Sequence, residues 1–391
     1  LDTQINIDLK RLSERSVGVF GKSGTGKSFL TRVLLAGIIS RRAAVNLVFD
    51  MHNDYGYEVP TETGTKVKGL KQLFPDRVAV FTLDDESSRR RGVRPDFVVT
   101  LPYSDIDPDD LAALKSTMDL SDTMLDAAYT LRRIYGRSWI QSILVAPNED
   151  IDALLNETTI NGPSLTALIR RLQRFDRFKF LTTQDTGDSA VMHVVKCIEQ
   201  GTNVILEFGR YGNALEAYIL VSNYLTRRIR ELYVQRIEES LGDESKQPPQ
   251  LIITIEEAHK FLEPQIARQT IFGTIARELR KFKVTLLIID QRPSAIDEEV
   301  MSQVGTRVTA LLDNEKDITA VLMGVSGAPG LREVLARLDT RQQAIVLGHA
   351  VPMPVVIRNR AYDEAFYAAM GGVLKGEKLR ESAKRANLRL F

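Results

Sequence analysis

The run Gly21-Lys22-Ser23-Gly24-Thr25-Gly26-Lys27-Ser28 restricts this chain more than any other stretch of it. It satisfies G-x-x-x-x-G-K-[ST] in full. An apolar run, Ser16–Phe20, leads into it, and Leu30, Val33, Leu34, Ile38 and Ile39 follow at helical spacing. Strand, loop and helix in that order make a cradle for an oligophosphate. The glycines let successive backbone N–H groups turn inward, and the helix N-terminus adds its partial positive charge. Lys27 can then reach the outer phosphates, and the Ser28 hydroxyl can ligate Mg²⁺. Gly21, Lys22, Ser23, Gly24, Thr25, Gly26, Lys27, Ser28 and Phe29 form the expected nucleotide-contact set.

Elsewhere, short β-branched runs alternate with longer helical patterns, which predicts an α/β fold with a mostly parallel sheet. The expected strands are Ser16–Phe20, Val45–Asp50, Arg77–Phe81, Phe97–Leu101, Val204–Phe208, Leu251–Ile255, Val284–Asp290, Arg307–Leu312, Ala344–Leu347 and Val355–Ile357. Most are continuous apolar runs, as expected of strands buried on both faces. Residues 102–200 break the rhythm with amphipathic helices at Asp109–Thr117, Asp122–Tyr135, Ile151–Asn156 and Ser164–Phe175, and with no convincing strand. The expected organisation is a core beginning at 1–101, a helical-bundle insertion at 102–200, the rest of the core at 201–370, and a basic tail at 371–391. Glu238–Gln250 reads as a surface loop.

With 52 Lys+Arg against 51 Asp+Glu, the net charge of +1 excludes a histone-like or acidic disordered chain. A local basic surface remains compatible with that total. Cys197 is the only cysteine, which excludes an internal disulfide and a thiolate zinc cage and fits a reducing cytoplasm. No apolar run reaches the roughly 18 residues of a membrane span. Residue 1 is Leu, so the numbered chain is expected to be a fragment.

Leu251–Ile255 leads into Glu256-Glu257-Ala258-His259. Beside a phosphate-binding loop, the first acid is expected to hold Mg²⁺ and the second to act as general base toward water. A hydrolytic base argues against small-molecule kinases. The GTPase base-reading motif is missing, since Asn314-Glu315-Lys316-Asp317 has the wrong order, and the transporter signature Leu-Ser-Gly-Gly-Gln is not found. The box is similar to that of the DEAH helicases. However, Gln291-Arg292-Pro293-Ser294 lacks the glycine and second arginine of their Gln-x-x-Gly-Arg-x-x-Arg element. A nucleoside triphosphate with Mg²⁺ is therefore the expected cofactor pair.

Taken together, these motifs resemble the HerA branch of the FtsK/HerA superfamily of hexameric DNA-pumping ATPases. The match is carried by Val19–Ser28, by Val48-Phe49-Asp50-Met51-His52-Asn53-Asp54-Tyr55, by Glu256–His259, and by Ala276–Phe282 followed by Asp290-Gln291-Arg292-Pro293-Ser294. Met301–Arg307 continues it, so the resemblance spans about residues 8–360. Met51, Asn53, Leu279 and Asp290 stand where the family usually has Pro, Gly, Gly and Ser. The resemblance implies a RecA-like P-loop NTPase core, a homo-hexamer, and DNA bound through its backbone. It also implies a NurA-like nuclease partner or a defence effector. The family's N-terminal β-barrel is expected to be absent from this chain, which weakens the nuclease pairing.

By the same resemblance, Asp50 joins the magnesium or water shell with Ser28 and Glu256. Gln291 senses the γ-phosphate or orients water, and Arg280 reaches the neighbouring subunit's nucleotide, with Arg277 as the competing finger. Catalysis is thus assigned to Lys27, Glu257, Gln291 and Arg280. His52, His193, His259 and His349 show no ligand spacing and read as structural or hydrogen-bonding residues. Arg89–Arg91 with Arg94, and Arg170, Arg171, Arg174 and Arg177, are the candidate DNA-phosphate contacts. The rival readings are a regulatory ATPase scaffold for an anti-phage effector and a secretion ATPase of the VirB4/TraG branch.

Overall fold

The structure, a computed structural model, describes residues 5–60, 64, 66–184, 189–278, 282–325, 327–338 and 343–370. Its frame is a ten-stranded sheet. In chain order the strands are β1 (Val17–Phe20), β2 (Val45–Asp50), β3 (Val78–Thr82), β4 (Phe97–Val98), β5 (Asn203–Glu207), β6 (Leu251–Glu256), β7 (Val284–Asp290), β8 (Thr306–Thr309), β9 (Gln343–Gly348) and β10 (Val355–Arg358). Across the sheet they lie β10-β9-β8-β1-β7-β6-β2-β5-β3-β4. From β8 to β4 every pairing is parallel, whereas β8–β9 and β9–β10 are antiparallel.

Most of the apolar runs read as doubly buried strands are so, whereas β4 and β10, at the two sheet edges, are only partly buried. In β2, β6 and β7 every residue is buried. Successive residues feed two different cores, because side chains alternate across a strand. Val48, Ile252 and Ile289 meet the phosphate-loop helix, Lys27–Arg41, through Leu30, Leu34 and Ile38. Phe49, Ile253 and Ile288 face the long helix Leu215–Glu239 and the insertion. The insertion therefore shares its core with the sheet. Leu165, Leu168 and Leu172 of Gly162–Gln173 belong to that same cluster.

Charge also ties the insertion down. The Arg227 guanidinium donates to Asp110 at 2.6 Å and to Asp107 at 3.1 Å. Burial pushes the Asp110 carboxyl above its ordinary range, and Arg227 opposes that shift. Removing one partner of such a buried pair costs about 3–5 kcal/mol.

Several local expectations change. The helix expected over Asp109–Thr117 is two, Pro108–Ala112 and Lys115–Met118, and the strand expected over Arg307–Leu312 is Thr306–Thr309. The strand expected over Phe97–Leu101 is split: Phe97–Val98 extends the main sheet, while Leu101–Pro102 pairs with Leu181–Thr182. The main sheet ends there with its edge strand at Val98, and Pro102 sits in the short second pair. The insertion consequently contains a short strand, together with a helix at Trp139–Val145. The loop expected from Glu238 begins two residues later, after the long helix ends at Glu239, and it contains a single helical turn at Glu244–Lys246. The tail 371–391 lies outside the described residues. No helix among the described residues is long and apolar enough to cross a membrane.

Candidate nucleotide site

The sheet order brings the site together. β1 ends at Phe20 beside Asp290 of β7, β6 ends at Glu256, and Asp50 of β2 registers with Glu207 of β5. These termini line one carboxyl edge, where open α/β sheets bind ligands. The phosphate loop leaves β1 at that edge. Gly21 has φ 157°, and a side chain there would lie 2.7 Å from Thr25 Oγ1 and 2.9 Å from Ala310 Cβ. Gly26 (φ 83°) starts the helix from a left-handed conformation that favours glycine. Lys27 Nζ donates to the carbonyls of Gly21 (2.7 Å) and Lys22 (2.9 Å), and Thr25 Oγ1 donates to Lys22 O at 2.8 Å. The loop is also pinned from β8. Lys22 N donates to Leu311 O at 3.1 Å, and Lys22 Nζ pairs with Asp313 at 2.9 Å.

Burial lowers the Lys27 ammonium's pKa, and the charges of Glu257, Asp290 and Glu256 oppose that shift. All three acids therefore act on the amine. Phe29, one residue past Ser28, is 40% exposed. It meets Tyr362 edge-on at 6.5 Å, with the Arg32 guanidinium 5.5 Å from its ring centroid. An aromatic face open beside the loop can stack on a nucleobase.

Glu256 is buried, and its two oxygens differ. Oε1 accepts from Tyr55 Oη at 2.9 Å, whereas Oε2 is buried without a partner. Tyr218 Oη accepts from Glu256 N (3.0 Å) and donates to Glu256 O (3.1 Å), fixing the backbone. Burial, then the charges of Asp50 and Asp54, push the Glu256 carboxyl well above its ordinary range. A buried carboxylate oxygen without a partner fits a divalent cation. Among the described residues no three His, Cys, Asp or Glu side chains converge on one metal position. Mg²⁺ here would be held by Glu256 and Ser28 together with the phosphates and water, its usual manner of binding.

Asp50 is placed differently from the other two residues assigned to the metal. Oδ1 accepts from Asp54 N (2.7 Å), and Oδ2 accepts from Tyr55 N (2.8 Å) and Gly56 N (3.3 Å). Burial and the neighbouring Glu207 raise its pKa to about 7. Its oxygens anchor the turn that carries Tyr55 to Glu256, so these contacts support the Glu256 carboxylate.

Glu257 sits at φ 48°. Its Oε1 accepts from Gln291 Nε2 at 3.1 Å, which joins the expected base to the expected sensor. His259 lies within this group: its Nδ1 is 2.9 Å from Asp290 Oδ2 and 3.7 Å from Glu257 Oε2. Of the other histidines, His193 stacks on Phe97 at 4.2 Å, His349 bonds to Glu14 at 2.9 Å, and His52 is exposed. Arg280 lies outside the described residues. Arg277 pairs with Glu299 at 3.0 Å.

The expected DNA contacts are largely engaged in ion pairs. Arg89, Arg90 and Arg91 pair with Asp85, Glu86 and Glu207, Arg171 pairs with Asp119, and Arg174 and Arg177 share Glu216. Sequence reasoning gave no role to Tyr55, Tyr218, Asp290 or Glu207. Only Tyr55 and Asp290 carried a signal, as members of the motif runs.

Comparison with known proteins agrees with this geometry. The family model described as helicase HerA, central domain, matches residues 2–229. The DNA double-strand break repair helicase HerA of Sulfurisphaera tokodaii is 26% identical over 362 residues, covering 91% of this chain and 67% of the relative. Its counterpart in Pyrococcus furiosus is 24% identical over 412 residues, covering 97% and 71%. Among solved structures, the bacterial conjugative coupling protein TrwB superposes with a TM-score of 0.58 at 14% identity, covering 92% of this chain and 89% of TrwB. VirB4 of Thermoanaerobacter pseudethanolicus gives 0.55 at 14% identity, covering 90% and 91%. At those identities the likeness shows the fold, a RecA-like P-loop core. Because the family model matches more than half of its length, the chain belongs to the HerA helicase family.

Proposed function

We propose that this protein is an ATP-driven DNA translocase that acts as a ring, with each ATP hydrolysed where two subunits meet. The observation that carries the reading is the pairing of Glu257 with Gln291 at 3.1 Å, beside a buried Glu256 with one unpartnered oxygen, on the sheet edge that bears the phosphate loop. This is a base and an orienting amide next to a phosphate cradle, the parts that water-activated phosphoryl transfer requires.

The backbone N–H groups of residues 21–28 hold the phosphates, and Lys27 leaves its carbonyl partners for the β- and γ-phosphate oxygens. Phe29 carries the base. Glu257 takes the proton of the attacking water, and Gln291 orients that water. Mg²⁺, when bound, neutralises phosphate charge. Arg280 of an adjacent copy stabilises the charge spreading over the γ-phosphoryl group. Support for DNA as the track comes from relatives that are double-strand break repair helicases. Support for ATP with Mg²⁺ comes from TrwB, which has been solved with ADP and Mg²⁺. A nuclease or defence effector would dock on such a ring. The sequence match favours HerA over the secretion reading, since TrwB and VirB4 match in fold at 14% identity.

The test separates the two acids. Glu257→Gln should retain Mg-ATP binding, with a thermal stabilisation corresponding to about 2.7 kcal/mol at a hundred times Kd. Its turnover should fall at least ~100-fold, the scale of a general base. Glu256→Gln should lose the Mg²⁺-dependent part of that stabilisation. The opposite pattern, metal dependence lost with Glu257 and kept without Glu256, reverses the two roles.

A further inference from the structure

We propose that Asp290 and His259 form a positioning pair that fixes the Glu257 carboxylate against Gln291 before water is activated. The proposal rests on Glu257 being the base. Glu257 occupies a left-handed backbone conformation, φ 48°, that a side-chain-bearing residue adopts only at a cost. Such a turn persists only when its surroundings hold it. Two bonds from β7 do so: Ala258 N donates to Ile289 O at 3.3 Å, and His259 N donates to Asp290 Oδ2 at 2.6 Å.

Asp290 is 1% exposed, and its carboxylate works in both directions along the chain. Oδ2 holds the turn after Glu257. Oδ1 accepts from Arg292 N at 2.7 Å and so closes the backbone around Gln291, which lies between the two residues. One buried carboxylate thereby fixes the turn bearing the base and the loop bearing the sensor. The imidazole completes the arrangement. With Asp290 Oδ2 at 2.9 Å, His259 Nδ1 carries the hydrogen and donates it there. The same N–H edge stands 3.7 Å from Glu257 Oε2, while Gln291 donates to Glu257 Oε1. Gln291 thus bonds one oxygen of the base, the imidazole stands beside the other without bonding it, and Asp290 holds the backbone that carries both side chains. Neither Asp290 nor His259 needs to touch nucleotide for this role.

The experiment is a double-mutant cycle on steady-state ATP turnover. Asp290→Asn keeps the shape and loses one acceptor, and His259→Phe keeps the ring and loses Nδ1. Each should lower kcat by roughly 10–100-fold, the scale of removing an outer-shell partner of a functional side chain. For His259→Phe the KM for ATP should stay within about twofold, because no phosphate-loop residue loses a partner or a neighbouring carboxylate. In a Glu257→Gln background neither substitution should cause further loss, since both act through a carboxylate already removed. Losses that multiply in the double variants, or a kcat within about twofold of the wild type in the single ones, overturn the pair. If Asp290→Asn does not fold, His259→Phe carries the cycle alone. A Glu257→Gln protein that hydrolyses ATP at near wild-type rate removes the base assignment itself, which distinguishes that failure from failure of the pair.

Discussion

Replacing Lys27 with alanine is expected to lower ATP turnover by roughly 10³-fold or more, the scale of losing a charge that stabilises the transferring phosphoryl group. Lys27 Nζ donates to Gly21 O and Lys22 O, so it is already inside the loop when nucleotide arrives. Burial disfavours its charged form despite three acids nearby. Bound phosphates supply the compensation that the protein alone does not, so their binding favours the ammonium. The alanine variant loses that gain, and ATP affinity should fall with turnover. The fold should survive, because Thr25 still bonds Lys22 O and Lys22 N still bonds Leu311 O. Circular dichroism and equilibrium ATP binding check both statements. Near-normal turnover by Lys27→Ala would discard the site.

Arg280→Ala is expected to cut turnover by about 10³-fold while leaving ATP affinity nearly intact, since a trans-acting arginine serves the transition state. The expectation comes from the run Ala276–Phe282, which precedes β7 and its Gln291. Arg277, the competing finger, is already paired with Glu299. Mixing is a sharper test than either single variant. An interface between an Arg280→Ala subunit supplying Glu257 and a Glu257→Gln subunit supplying Arg280 is complete, so the mixture should recover activity that neither variant has. Dilution checks the same point. Activity per subunit should fall as rings dissociate, and a monomer hydrolysing ATP at the full rate would contradict shared sites.

Much of the frame was legible because burial on both faces writes a strand as an unbroken apolar run. Val45–Asp50 and Val284–Asp290 were read to the residue for that reason. The pairs Val59–Pro60 with Lys66–Val67, and Leu101–Pro102 with Leu181–Thr182, leave no such trace. Two residues carry no period, and their partner is set by tertiary packing. In the site, the phosphate loop was legible because a backbone cradle needs glycine at fixed offsets. Asp50 was legible as a residue of the site edge, while its bonds to the following turn were not. Whether a carboxylate meets a cation or three backbone N–H groups depends on how the following turn folds. His259 read as a structural or hydrogen-bonding residue, which it is, but its partner Asp290 was not legible because it lies 31 residues away on the neighbouring strand. Tyr218 had no signal, being one of twelve buried residues in the helix Leu215–Glu239.

The most direct measurement of the central claim, that hydrolysis at this sheet edge moves DNA, is displacement of a third strand from duplex DNA. The wild-type protein and Glu257→Gln would be compared with ATP turnover followed in the same reactions. The account predicts ATP-dependent displacement by the wild type, with a lag that lengthens as more duplex precedes the third strand. It predicts none by Glu257→Gln, although that variant still binds ATP. Rapid ATP hydrolysis with no displacement, or equal displacement by Glu257→Gln, would contradict it.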